Sequence, residues 1–73
     1  MMYAKSKKKP NIKFCNNEES IIYHVINDED ILTKEEIVNR IEKYKQKENI
    51  SANIDINKHI KSMIKKRWIE NFG

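Results

Sequence analysis

Near the end of the chain, Asn57, Lys58, Lys61, Ser62 and Lys65 fall together on one face of a helix-period stretch. The opposite face is apolar: Ile56, Ile60, Met63 and Ile64 recur at i, i+4, i+7 and i+8. Burying that stripe turns the five polar side chains outward. Lysine ammonium groups on such a face can meet phosphates or guanine edges, and asparagine can pair bidentately with adenine. An α-helix fits the major groove of B-DNA, and Asn57 and Lys58 lie at the end where DNA-reading helices usually touch bases. No acid occurs between Asn57 and Arg67 to oppose a polyanion. A solvated lysine-rich face carries the same pattern, so the distribution of charge along the chain has to separate the two readings.

That distribution is segregated. Residues 1–15 hold five lysines and no acid, residues 16–56 hold ten acids against five bases, and residues 57–73 hold five bases against Glu70. The segment nets are +5, −5 and +4, within a total of +4. Two basic ends around an acidic middle make a directional field, which steers a polyanion toward one side. Lys7, Lys8 and Lys9 form the core of the first basic end, and Lys66 extends the second. The cluster from Lys5 to Lys9 has the character of a basic arm that follows phosphates or enters a minor groove.

The residues that would serve other chemistries are sparse. Cys15 is the single cysteine, so neither an internal disulfide nor a Cys/His zinc set can form, and a lone thiol fits a reducing compartment. His24 and His59 have no carboxylate or cysteine at a spacing that builds a metal or catalytic site. His59 reads as packing at the edge of the core. The only glycine is Gly73, which leaves no glycine-rich phosphate loop. The expectation is a protein that is not an enzyme, with no cofactor and no metal. No apolar run approaches the roughly 18 residues of a membrane span. The basic N-terminus has no apolar stretch behind it, as a secretion signal would. The expected setting is intracellular, cytoplasmic or nuclear, and not a membrane.

Seventy-three residues suffice for one domain with a small core. Residues 1–10 read as a flexible basic arm and residues 11–73 as the domain. Asn11 to Cys15 alternates polar and apolar, as a strand does. Asn16 and Asn17 suit the cap of a first helix over 18–27, with Ile21, Ile22, Val25 and Ile26 as its apolar stripe. Ile31-Leu32 is too short for a helix. Thr33-Lys34-Glu35-Glu36 is a capping box that opens a second helix over 34–47, with Ile37, Val38, Ile41 and Tyr44 inward. Ile50 anchors the connection that follows. Asn53 or Asp55 caps the third helix, which ends near Lys66, and Trp68 to Asn71 suits a strand in which Trp68 is a core residue. The predicted class is α+β, mainly α, with three helices and a small β-sheet.

From Glu18 to Asn71 this order resembles a winged-helix domain. Ile31-Leu32 stands where that superfamily has its first strand, helices 2 and 3 form the helix-turn-helix, and Trp68 to Asn71 matches the strand after the reading helix. The resemblance implies a DNA-binding protein, a transcription regulator, that reads duplex DNA with helix 3; such proteins often act as dimers, so a homodimer is one of the arrangements it allows. The run from Ile31 to Asn71 is also similar to the C-terminal winged-helix module of cullins. It shares Ile31-Leu32, Ile37, Val38, Ile41, Ile56, Ile60, Met63, Ile64 and Trp68-Ile69-Glu70. That module contacts proteins, which implies the alternative of a protein-interaction module without nucleic-acid binding, its partner unspecified. Cullins carry a modifier-accepting lysine where this chain has Asn27, followed here by Asp28-Glu29-Asp30; the difference argues against the same modification. Winged helices usually add a second wing strand after the first. Here the chain stops at Gly73, a truncated wing, and Asn11 to Phe14 is the segment expected to pair with Trp68 to Asn71 in its place.

Overall fold

The computed structural model describes residues 1–7 and 17–72. Six elements follow in order: β1 (Met2–Lys5), α1 (Asn17–Val25), β2 (Leu32–Thr33), α2 (Lys34–Lys47), α3 (Ile56–Lys65) and β3 (Ile69–Phe72). Three helices pack on one small antiparallel sheet of order β2-β1-β3, a mainly α member of the α+β class whose layout is compatible with a winged helix.

The firmest boundary lies at Thr33. Its hydroxyl accepts from the Glu36 N–H at 3.2 Å, and the Glu36 carboxylate accepts from the Thr33 N–H at 3.1 Å. Two backbone donors that the first turn of α2 leaves open are satisfied in this way. Asp55 caps α3, its Oδ1 accepting from the Lys58 N–H at 3.1 Å. Helix α1 stops at Val25, two residues short of its expected end. Beyond it the Asn27 N–H donates to Asp30 Oδ2 at 3.0 Å, and Arg40 donates both to that oxygen at 2.5 Å and to the Val25 carbonyl at 3.1 Å. The acidic turn is thereby tied to α2.

Helices α2 and α3 end in the same way. Ile50 N–H reaches the Lys45 carbonyl at 2.8 Å with Asn49 at φ 55°; Trp68 N–H reaches the Met63 carbonyl at 2.9 Å with Arg67 at φ 65°. Each is a Schellman closure, in which one left-handed residue turns the chain out of the helix and satisfies its last carbonyls. The turn at Arg67 drops Trp68 back onto Met63, and both side chains are buried.

The core joins Ile22 and Ile26 of α1 and its exit, Ile37 and Ile41 of α2, and Ile60 and Met63 of α3 to Tyr3, Leu32, Trp68 and Ile69. Burying one such aliphatic side chain contributes roughly 1.5–3 kcal/mol relative to leaving it in water. Ile21, Val25, Val38, Tyr44 and Ile50 are half-buried, at the margin of the stripes to which they belong. In the short strand Leu32 faces the core, whereas Ile31 is 54% exposed.

The N-terminal segment departs from the expected flexible arm. Met2–Lys5 is the central strand of the sheet, with Tyr3 opposite Leu32 on one side and Asn71 on the other. The physical reason is the alternation of Tyr3 and Lys5 against Met2 and Ala4, which serves both faces of a sheet. Tyr3 is buried in the core, and Lys5 lies against α1 with Nζ 4.3 Å from the Tyr23 ring centroid. A few large apolar residues beside a cluster of lysines gave too weak a period to stand out. The partner of β3 is therefore Met2–Lys5. The expected strand at Asn11 to Cys15, the Asn16 cap, and Lys8 and Lys9 lie outside the described residues.

Candidate nucleic-acid interface

Helix α3 presents its basic side to solvent. Asn57, Lys58, Lys61 and Lys65 are exposed and Ser62 is half-buried, whereas Ile60 and Met63 are buried opposite them. Lys58, Lys61 and Lys65 follow one another at i, i+3 and i+7, a line about 10 Å long at 1.5 Å per residue. None of the three makes an ion pair among the described residues. Other cations are engaged: Lys5 with Asp28, Arg40 with Asp30, Lys45 with Glu42. The outward line of α3 is thus a row of charges that the fold leaves unanswered.

What fixes the tilt of that row is an ionic cluster between α1 and α3 that spacing along the chain did not reveal. Glu19 is buried, 3% exposed, and is answered from α3 and the residue that ends it. Lys66 Nζ donates to its Oε1 at 2.9 Å, and His59 Nδ1 lies 3.3 Å from its Oε2. The other ring nitrogen of His59 meets Glu18 Oε2. His59 is thus clasped by two carboxylates forty residues away in sequence, a partnership that local spacing cannot signal. Burial works to raise the Glu19 carboxyl. The hydrogen bonds from Lys66 and His59, the Lys66 charge and a further bond from Ser62 outweigh it, and the group is held below the ordinary carboxylate range.

Lys66 and Lys65 are consequently unlike. Lys66 is exposed, but its ammonium is engaged by Glu19 and lies over the Trp68 ring, 4.7 Å from its centroid. Ser62 also turns toward Glu19. The expected DNA-facing residues of this region therefore divide: Asn57, Lys58, Lys61 and Lys65 of the outward face project to solvent, while Ser62 of that face and Lys66, expected from the basic C-terminal end, turn to Glu19.

Lys7 joins the exposed group from the sheet. The Ser6 N–H donates to the Trp68 carbonyl at 2.9 Å and the Ser6 hydroxyl donates to the Arg67 carbonyl, so the chain leaves β1 beside the last turn of α3. Lys7 follows directly and is exposed. Arg67 is exposed at the same end, a cation outside the helical stripe because it lies beyond the helix. Its left-handed φ was the signal available only from the backbone.

Among the described residues no group of three His, Cys, Asp or Glu side chains is placed to hold a metal ion, and no helix is long and apolar enough to cross a membrane. The arrangement can bind by charge and by hydrogen bonding from a rigid helix. No family model, no curated protein and no solved structure matches the chain.

Proposed function

We propose that this chain is a small winged-helix DNA-binding protein, a transcription regulator that lays α3 in the major groove of duplex DNA. The observation that carries the reading is the row of Lys58, Lys61 and Lys65, exposed and unpaired on a helix whose opposite side is pinned to the core. Asn57, at the N-terminal end of the row, is placed to read a base edge, adenine above all. Lys7 adds a phosphate contact at the other end, and Lys8 and Lys9 continue the basic run behind it. Ionic strength tests this directly. Fluorescence anisotropy of labelled mixed-sequence duplexes should report binding that weakens steeply with salt. For about five phosphate contacts the slope of log K against log salt is between about −4 and −5. A slope near zero, or no binding at 50 mM salt, would remove the reading.

A protein-interaction module is the second reading, favoured by one feature. Met2 and Phe72 are paired neighbours on the sheet face that carries no helix, and both are exposed, Phe72 at 46%. An apolar pair in that position suits a protein partner. It predicts recovery of a protein in a pull-down that Met2→Ser with Phe72→Ser abolishes, and no retention on duplex DNA.

A further inference from the structure

At Arg67 the left-handed backbone serves the fold, but the side chain that makes that backbone costly has no use inside it among the described residues. At φ 65° the residue occupies the left-handed region, where a Cβ crowds the following carbonyl and where helix exits usually place glycine or asparagine. The equivalent exit of α2 has Asn49, a residue suited to that region. The α3 exit has a long, branched cation instead. Strained backbone that persists commonly marks a side chain needed for something else.

Nothing within the described residues uses the Arg67 side chain. It is exposed, and its guanidinium has no hydrogen bond, ion pair or ring contact there. Glu70 lines the same shallow groove, together with Ile64, Ile69 and Phe72, yet forms no ion pair with it. The negative end of the α3 dipole does favour a cation, but Lys65 and Lys66 already occupy the last turn and the cap. The main-chain role of the residue, carrying the Schellman closure and accepting from Ser6, needs only a carbonyl and a left-handed φ, which glycine supplies at less cost.

Position supplies the use. Arg67 stands two residues beyond Lys65, just past the C-terminal end of the exposed row, beside the exit of β1 that carries Lys7. A guanidinium there adds an exposed cation past the end of the helix, and its planar fork suits bidentate contact with a phosphate. We propose that Arg67 is a phosphate clamp for duplex DNA, fixing the depth and register of α3 at its C-terminal end. The left-handed exit aims its side chain out of the core. This rests on the DNA-binding reading above and adds to it a specific residue, in place of Lys66, whose charge is taken by Glu19.

The test compares three single variants of the full chain with the parent, each measured for its thermal midpoint and for its binding to a labelled duplex between 50 and 200 mM salt. Arg67→Gly should raise the midpoint, by roughly 4–8 °C if the relief is of the usual size. It should at the same time weaken binding about tenfold at 50 mM and make the salt slope shallower by about 1. Arg67→Lys keeps the charge and the φ but not the fork, and should keep the slope while losing part of the affinity. Asn49→Gly relieves the matching exit of α2 and should leave binding unchanged. Arg67→Gly with the parent's affinity and slope would overturn the clamp while leaving DNA binding intact. A parent that does not bind duplex at 50 mM salt ends the DNA reading and the clamp with it, even where the midpoint rises as expected.

Discussion

Glu19 shows how one side chain can organise the working face without belonging to it. Its carboxylate is buried, and it joins α1 to His59 of α3 and to Lys66 at the end of that helix. Replacing it by glutamine removes the charge that answers Lys66 and His59 while keeping the volume. The loss should be about 1–3 kcal/mol, the usual cost of breaking a buried polar contact, read as a drop in the denaturant midpoint. The same group sets an acid limit. Its folded pKa is depressed, so its stabilisation is complete above the ordinary carboxylate range and is lost as the pH falls through the lower, folded value. Chemical denaturation between pH 7 and 3 should therefore show stability falling below about pH 4.5, and Glu19→Gln should flatten part of that fall. Asp30, held down by the Asn27 N–H and by Arg40, contributes in the same direction, and the flattening should accordingly be partial.

Element by element, legibility followed how local the determining interaction was. The start of helix α2 was legible because the Thr33–Glu36 capping box spans four residues. Removing the cap hydroxyl with Thr33→Ala should cost about 1 kcal/mol, measurable as a lower midpoint with an unchanged m-value. Helix α3 was legible for the same reason, with its apolar stripe and the Asp55 cap both inside fourteen residues. The strand β1 was not, since Met2–Lys5 gains its identity only from partners at 32–33 and 69–72. A strand from the N-terminal side was expected beside β3, at Asn11 to Phe14, but the choice of Met2–Lys5 was not foreseen. In the candidate interface, the outward placement of Lys58, Lys61 and Lys65 came from periodicity alone. The engagement of Lys66 and the exposure of Arg67 depended on tertiary contacts and on a backbone angle. Because β1 is central, deleting residues 1–5 should do more than trim a tail. It leaves β2 and β3 unpaired and Leu32 and Ile69 uncovered, and the expected outcome is loss of the cooperative thermal transition. A truncated chain with the parent's midpoint would show that the sheet is dispensable.

At the scale of the molecule, the cations differ in what answers them. Lys5, Arg40, Lys45 and Lys66 are bound by acids of the fold; among the described residues Lys34, Lys43 and Lys47 on α2 make no ion pair, and neither does a second group, Lys58, Lys61 and Lys65 on α3 with Lys7 and Arg67 at its exit. The pinned side of α3 keeps this second group in a fixed line, which limits the conformational entropy lost when a rigid polyanion docks. The account rests on that line being a DNA-binding surface. Its most direct test is the charge reversal Lys61→Glu with Lys65→Glu, compared with the parent in a duplex gel shift at 100 mM salt, with circular dichroism to establish that both are folded. Neither side chain enters the core, so the double variant should fold as the parent does and fail to shift the duplex. A folded double variant that shifts DNA as well as the parent would contradict the assignment of α3 as the DNA-reading helix.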